Sequence, residues 1–230
     1  MKQQLINDLR EQYKVYFTDS SGPESFAHKD ITADPLPLIH LHSRQMLMDN
    51  PTVIGTLFAK RYAKTAAGHF YALVHGCILQ TDPAHAFIRA KNYGELALEL
   101  PSGSWVESSD QKLQREAVHA LIKHHIEPLF FSISKHTGAR SAHLFSIASH
   151  TLHQTSLHLK EQMPHAASYV EDILHMYTAY ENFSTEFRFK EHSGFYVRKH
   201  CCLSYMLDGD KASCCKTCPL INKKRSSLST

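Results

Sequence analysis

The chain has 230 residues, of which 43% are hydrophobic and 20% charged, and its formal net charge is +3. Twelve Phe and ten Tyr beside many Leu and Ile exclude a disordered chain, and only nine Gly and nine Pro exclude a collagen-like or linker-like one. No run of about 18 uncharged apolar residues occurs, and the start, MKQQLINDLREQ, is charged where a signal peptide is apolar. We therefore expect a cytoplasmic protein without a spanning helix and, at this mild charge, without a nucleic-acid partner.

Hydrophobic spacing and start signals predict helices in the first half of the chain. Apolar residues recur at helical spacing near the start, and Pro51 follows capping residues. The predicted helices span 1–15, 38–48 and 51–79. Between the first two, 18–37 is rich in Ser, Asp and Pro, so an irregular connection is expected. At 79–101, turn sequences and alternating apolar residues predict antiparallel strands.

The second half is also predicted to be helical, up to a final hairpin. Helices are expected at 111–134, 141–163 and 164–180, after a Ser-rich loop around Trp105. Pro128 marks a kink or an end within the first of these helices. From Phe183 onwards the periodicity becomes two, which predicts a hairpin centred on 192–194 that leads into Cys201.

These elements predict an α+β fold that is mainly helical, with a small antiparallel sheet and a C-terminal cysteine-rich segment. The helical core with its sheet is expected to span 1–183, and the hairpin with the cysteine-rich segment is expected to span 184–230. We expect the two parts to pack together as one domain, because the smaller part is short for a core of its own.

Five of the six cysteines lie between Cys201 and Cys218, in the run HCCLSYMLDGDKASCCKTCP. Disulfides need an oxidising compartment, which nothing in the sequence indicates, and five cysteines cannot all pair. A catalytic thiol pair needs only Cys215 and Cys218, and leaves Cys201 and Cys202 without a role. A metal centre with thiolate ligands accounts for more of the cysteines. The sixth, Cys77, lies in an apolar stretch and is expected to be buried and inert within a helix.

Two kinds of metal centre fit the spacing. Cys215-x-x-Cys218 is the usual two-ligand turn, and a zinc site normally uses a second such turn. Cys201 and Cys202 are instead adjacent, and adjacent side chains of an extended chain point in opposite directions. Such a pair reaches one tetrahedral ion awkwardly and reaches a larger binuclear iron–sulfur centre more easily. The spacing alone leaves zinc open.

The cysteine pattern resembles that of the FhuF-like siderophore ferric-iron reductases, in which a C-terminal Cys-Cys, about ten residues and then Cys-x-x-Cys bind a [2Fe–2S] cluster. In this chain the aromatic and basic run FYVRKH enters the first pair. The place of the family's Arg-then-Leu-aromatic helix is occupied by ARSAHLFSIASHTLHQ, and the apolar helix at 51–79 is of the expected kind. The motif is specific, whereas the rest of the resemblance is loose and spread over most of the chain.

Matched to the motif residue by residue, the resemblance implies that Cys201, Cys202, Cys215 and Cys218 bind the cluster. Twelve residues separate Cys202 from Cys215, and an extra cysteine, Cys214, lies in this gap. Cys214 is the alternative to Cys215, which alone keeps the Cys-x-x-Cys spacing. The resemblance thus implies a [2Fe-2S] cluster in a C-terminal cluster-binding segment, with no catalytic residue beyond it.

Basic residues and histidines surround this motif. Nine Lys or Arg residues stand against three Asp or Glu over 187–225. Positive charge stabilises a reduced iron–sulfur cluster, although a solvated basic face has the same composition. Of 18 histidines, His200 adjoins the ligands and is a candidate for a sulfur hydrogen bond or for proton coupling. His150, His153 and His158 spread over about 140° of one helix, so structural roles are expected for them.

The resemblance implies one-electron reduction of Fe(III) in imported ferric-siderophore complexes, with release of Fe(II) in the cytoplasm. Siderophores hold Fe(III) through hard oxygen donors and hold Fe(II) far more weakly. Because the chain has no glycine-rich dinucleotide motif, a ferredoxin or a separate reductase is expected to supply the electrons. Peripheral association with a membrane is a further interaction that this interpretation allows. The alternatives are a zinc-stabilised binding module and an iron–sulfur redox-sensing regulator whose basic residues contact DNA.

Overall fold

A computed structural model describes residues 3–222, with backbone only at His192 and Lys211, so the predicted C-terminal part at 184–230 extends past the described residues. The helices are α1 (Gln3–Glu11), α2 (His28–Ala33), α3 (Leu36–Met46), α4 (Pro51–Val74), α5 (Gln111–His119), α6 (Glu127–Thr137), α7 (Ser141–Gln162) and α8 (Ala167–Thr178). The strands are β1 (Val15–Phe17), β2 (Ser25–Ala27), β3 (Cys77–Leu79), β4 (Phe87–Lys91), β5 (Glu95–Leu100), β6 (Trp105–Glu107), β7 (Arg188–Lys190) and β8 (Phe195–Val197). The fold is therefore α+β and mainly helical, as predicted. None of the described helices combines the length and apolarity needed to cross a membrane.

Helix α4 lies at the centre of the core and is buried over most of its length. It begins where the sequence predicts: the Asn50 side chain accepts a hydrogen bond from the Val53 N–H at 3.2 Å, and Pro51 occupies the first turn. It packs against α6, α7, α8 and β5. A helix with neighbours on so many sides must be apolar all round, which explains the composition of this stretch.

The end of α4 differs from the prediction, which extended the helix to residue 79. The helix ends at Val74, Gly76 turns the chain at a φ of 70°, and Cys77–Leu79 forms β3 opposite β6. A short apolar run fits a buried strand as well as a helix. Here the run forms a strand because it pairs with β6, which lies in the stretch predicted to be a Ser-rich loop. Cys77 is buried, as expected, but on a strand, and burial raises its pKa to about 11.

The main sheet has the strand order β1–β5–β4–β2. Its centre is the predicted antiparallel pair, in which Ile88 of β4 lies opposite Leu98 of β5. β1 joins β5 in parallel and β2 joins β4 antiparallel. The prediction of an irregular segment at 18–37 is wrong, because this stretch contains β2 and α2. Their partners lie far along the chain: the His28 Nε2 is 3.0 Å from the carbonyl oxygen of His125.

The second half follows the predicted helices closely. α5 and α6 together cover the helix predicted at 111–134, and a π-helical segment, Ala120–Ile126, joins them. Pro128 lies in the first turn of α6, directly after the π-helical segment, and the helix continues through it. α6 ends at Gly138, whose left-handed φ of 68° is typical of a helix end. α7 and α8 match the two helices predicted after it.

β7 and β8 form the hairpin that the sequence predicts, with Gly194 in the turn at a φ of 62°. The hairpin packs on α7. The His150 Nε2 lies 2.7 Å from the carbonyl oxygen of Tyr196, and the rings of His150 and His153 both contact Phe187 edge-on. These contacts fix the position from which the chain enters the cysteine-rich region.

Candidate metal centre

The cysteine segment, residues 198–222, is joined to itself and to the core through backbone groups. The Arg198 N–H donates a hydrogen bond to the Thr217 carbonyl oxygen at 2.9 Å, which brings the chain before the Cys-Cys pair beside the Cys-x-x-Cys turn. On the core side, the Thr56 hydroxyl of α4 donates to the Cys202 carbonyl oxygen at 3.1 Å. The two cysteine-bearing loops are thus held next to each other, against α4.

Each loop has its own turn at the cysteines. Leu203 adopts a left-handed φ of 59°, and its N–H donates to the Cys201 Sγ at 3.4 Å. In the second loop, the Cys218 N–H donates to the Cys215 carbonyl oxygen at 2.8 Å. This bond closes the tight turn that makes Cys-x-x-Cys a two-ligand motif. An N–H donor stabilises a sulfur as thiolate, which is the form that binds metal.

Asn222 fastens the Cys-x-x-Cys turn. Its side-chain Nδ2 donates to the carbonyl oxygens of Lys216 and Cys218, both at 2.9 Å. Its Oδ1 accepts a hydrogen bond from the Lys190 Nζ at 3.1 Å, and the Arg188 guanidinium donates to its carbonyl oxygen. Asn222 therefore connects β7 to the turn. Sequence reasoning missed this residue, because a single Asn after the last cysteine carries no recognisable signal.

The four cysteines carried over from the resemblance form two pairs, and each pair takes one cysteine from each loop. The Cys201 and Cys218 Sγ atoms lie 3.5 Å apart, and the Cys215 thiol hydrogen-bonds to Cys202. The adjacent Cys201 and Cys202 thus have different partners. Cys202 and Cys218 are buried, whereas Cys201 and Cys215 are half-buried. None of these four cysteines forms a disulfide.

The hydrogen bond between Cys202 and Cys215 shifts the pKa values of these two thiols in opposite directions. The hydrogen bond from Cys215 holds the pKa of Cys202 well below its usual range, and the charges of Arg198 and Lys60 favour the same thiolate. That hydrogen bond, together with burial, raises the pKa of Cys215. Burial raises the pKa of Cys201. Because metal ligands must be thiolates, loading a metal at these cysteines releases protons.

Cys214 adjoins Cys215 and is half-buried, but the hydrogen bond to Cys202 comes from Cys215. Over residues 3–222, no three or more His, Cys, Asp or Glu side chains already surround a point where one metal ion would bind. The thiols lie as two pairs rather than as one tetrahedron. Thiolates are soft donors, and such a set suits zinc, copper(I) or an iron–sulfur centre.

The histidines near the site have partners in the fold. His200 stacks on His143 of α7, with ring centroids 3.9 Å apart and an interplanar angle of 19°. Within the described part of the chain, no hydrogen bond joins His200 to a sulfur. His150 and His153 support the hairpin, and His158 is exposed. The contacts of His150 and His153 agree with the structural roles expected for them.

Two cations act directly on the thiols. Arg198 belongs to the basic run noted in the sequence, whereas Lys60 lies on α4, one turn after Thr56, and was not singled out from the sequence. Their contribution depends on the pairing of the cysteine segment with α4, which only the fold reveals. The basic residues at 223–225 lie outside the described part of the chain.

No family model matches the chain, and no curated protein matches it significantly. The resemblance to the FhuF-like reductases therefore rests on the cysteine spacing and its sequence context. The geometry of the cysteine segment is a separate observation.

Proposed function

We propose that the chain binds a [2Fe–2S] cluster through Cys201, Cys202, Cys215 and Cys218 and uses it to reduce Fe(III) in imported ferric siderophores by one electron. In this proposal the protein is a cytoplasmic ferric-chelate reductase, an oxidoreductase that acts on a metal ion. The observation that carries the proposal is the arrangement of the four thiols in two pairs, each drawn from both loops.

The donor set fits such a cluster. Two thiolates on one tetrahedral metal, each about 2.3 Å from it, lie about 3.8 Å apart. The 3.5 Å between the Cys201 and Cys218 sulfurs is close to that value. Each iron of a [2Fe–2S] cluster takes two thiolates, so Cys201 with Cys218 would hold one iron and Cys202 with Cys215 the other. A single zinc ion needs all four sulfurs around one point, for which two pairs are less suited.

When bound, such a cluster takes up and passes on single electrons. The residues around the thiols control charge and water at the site. Arg198 and Lys60 bring positive charge to Cys202 and Cys215, which offsets the negative charge added with an electron. Burial of the Cys202 and Cys218 sulfurs keeps water from one side of the site. The substrate Fe(III) becomes Fe(II), so no nucleophile or general base is required.

The proposed electron donor is a ferredoxin or a separate reductase with an acidic surface. Lys60 and Lys64 lie one turn apart on α4. Burial and then repulsion from the neighbouring cations, including Lys14 and Arg61, lower the pKa of Lys64, which means that these charges are crowded. Glu95 pairs with Lys14 at 3.3 Å. An acidic partner would relieve the remaining repulsion and would dock beside the thiols on which Lys60 acts.

The test is the absorption spectrum of the anaerobically purified protein together with its iron and sulfide content. We expect a reddish-brown protein with iron and sulfide in equal amounts, about two of each per chain. A colourless protein that carries zinc would refute the proposal. A cluster that accepts an electron but passes none to any ferric chelate offered, an anionic chelate and a hydroxamate among them, would exclude the reductase and favour the redox-sensing regulator.

Single substitutions test the ligand set. Cys201→Ser, Cys202→Ser and Cys218→Ser should each abolish cluster assembly, because each removes one of four soft ligands and oxygen is a poor replacement. Cys77→Ser is the matched control, since Cys77 is a buried cysteine on β3, outside the cysteine segment, and the iron content of this variant should equal that of the wild type. A normal iron and sulfide content in any of the first three variants would contradict the assignment.

A further inference from the structure

A cleft of about 540 Å³ opens beside the Cys201–Cys218 pair. Cys201 lines it, and its half-buried sulfur gives this cleft access to the site. The remaining walls come from the loop before α7, from the first turns of α4 and α7, and from the cysteine segment. This volume is in the range of small-molecule sites. The cleft is therefore both large enough for a ligand and adjacent to a proposed iron ligand.

The charges of the cleft have one sign. Arg140 and Lys199 line it, and the described lining residues include no carboxylate. Two long helices also begin here, since Thr52 is in the first turn of α4 and His143 in the first turn of α7. The N-terminal ends of helices carry partial positive charge. The side chains and the helix ends together give the cleft a positive potential.

Two stacked histidine rings form part of the wall of the cleft. The His143 and His200 rings stack at 3.9 Å and link α7 to the residue before Cys201. Both histidines line the cleft. A ligand in the cleft would therefore meet two stacked rings with Arg140 and Lys199 beside them, and it would lie next to the Cys201 sulfur.

We propose that this cleft binds the ferric chelate and selects chelates that carry net negative charge. This inference rests on the proposed function. Four thiolates around a [2Fe–2S] core leave the site negatively charged, so an anionic chelate would be repelled without a cation to offset that charge. Arg140 and Lys199 supply the offset, and a cationic chelate gains nothing from them. In the transfer, the substrate Fe(III) gains the electron that the reduced cluster loses, and no bond to the protein forms or breaks.

The experiment measures binding without electron transfer. Gallium(III) replaces Fe(III) in siderophores but is not reduced, so its complexes report affinity alone. The probes are the trianionic Ga(III) complex of a tricatecholate siderophore and the monocationic Ga(III) complex of desferrioxamine B. Calorimetric titration of the cluster-loaded wild type should give tighter binding of the trianion. In the Arg140→Gln, Lys199→Gln double variant, the trianion's affinity should fall about tenfold, while that of the monocation should stay or rise.

The double variant Lys112→Gln, Arg115→Gln is the matched control. It removes one lysine and one arginine charge, as the cleft variant does, but from α5, which contributes no residue to the cleft. The affinities for the trianion and for the monocation should both stay unchanged. Iron and sulfide are measured in the same preparations. Absence of a cluster in the wild type would refute the proposed function. A loaded cluster with equal affinity for both probes, with no binding of either, or with equal losses in the two double variants would overturn the cleft assignment.

Discussion

At the scale of single residues, the choice between Cys214 and Cys215 decides the register of the second cysteine pair. Cys215 hydrogen-bonds to Cys202, and its carbonyl oxygen accepts the N–H of Cys218 in the closed turn. Cys214→Ser should therefore keep full cluster content and full reduction of a ferric hydroxamate. Cys215→Ser should lose most of both, because it removes a thiolate that the turn already positions. Iron per chain and the visible spectrum measure the difference.

The same pair of variants can contradict this register. If Cys214→Ser is colourless and Cys215→Ser behaves as wild type, the ligand is one residue earlier and the proposed function stands. If both variants keep full iron content, the two residues replace each other and a unique fourth ligand does not exist. Iron content separates these outcomes without reference to activity.

His42 shows the cost of a polar side chain in the core. It is fully buried, and neither of its ring nitrogens has a hydrogen-bond partner among the described residues. His42→Leu should raise the free energy of unfolding at pH 7 by about 1–2 kcal/mol, because leucine needs no partner. The control is His28→Leu, which should destabilise the protein because it removes the contact with the His125 carbonyl oxygen. Urea unfolding followed by circular dichroism measures both changes, and a destabilised His42→Leu would contradict the first.

At the scale of elements, the Cys-x-x-Cys turn depends on its connection to β7. Asn222→Ala removes both side-chain bonds to the turn and the bond to Lys190, so the turn should open more readily. We expect the variant to release its iron to a chelator at least several times faster than the wild type. Asn182→Ala is the matched control, because Asn182 bonds to Glu127, away from the cysteine segment. Equal release rates in the two variants would show that Asn222 does not hold the site.

The elements that sequence reasoning identifies are those fixed by local signals. Asn50 and Pro51 mark the start of α4, Gly138 marks the end of α6, and period-two alternation marks β7 and β8. β1, β3 and β6 were not predicted, because each has three residues and exists through pairing with a distant strand. α2 lies in a stretch whose Ser, Asp and Pro content indicates a loop, and tertiary contacts override that local preference.

The candidate site also has a part that the sequence indicates and a part that only the fold reveals. The spacing of the cysteines is local, so it indicates a thiolate centre directly from the sequence. The residues that hold the cysteines in place come from elsewhere: Thr56 bonds to Cys202 across 146 positions, and Lys190 bonds to Asn222 across 32. No pattern in a single sequence encodes such pairs. The contribution of Lys60 to the charge at the thiols was hidden for the same reason.

At the scale of the whole molecule, buried histidines should make stability depend on pH. Burial lowers the pKa of His28 and His69 to about 4 and that of His42 to about 3, whereas an unfolded histidine titrates near 6.5. Below that pH the unfolded chain binds protons that the folded chain does not. Stability is therefore full above pH 6.5 and falls as the pH drops towards 4, by about 1.4 kcal/mol per pH unit for each such histidine.

Comparison of two proteins isolates this dependence from that of the carboxylates. The unfolding free energy of His42→Leu minus that of the wild type should grow by about 1.4 kcal/mol for each pH unit below about 6.5, because the variant lacks one of the titrating rings. Urea unfolding at several pH values between 7 and 5 gives this difference. Parallel profiles for the two proteins would show that His42 is not held neutral by burial.

The hydrogen bond from Thr56 to Cys202 joins two parts of the chain that are synthesised at different times, 146 positions apart. α4 leaves the ribosome well before the cysteine segment, and α7 also precedes it, so the surface that receives the cysteines can fold while they are still being made. The cysteines then meet a surface that can already be folded, and their two loops close on each other only after Thr217 has emerged to accept the Arg198 N–H. Under the proposed function, iron and sulfide would therefore be delivered only after Cys218 has been made, to a chain whose helices can already be folded.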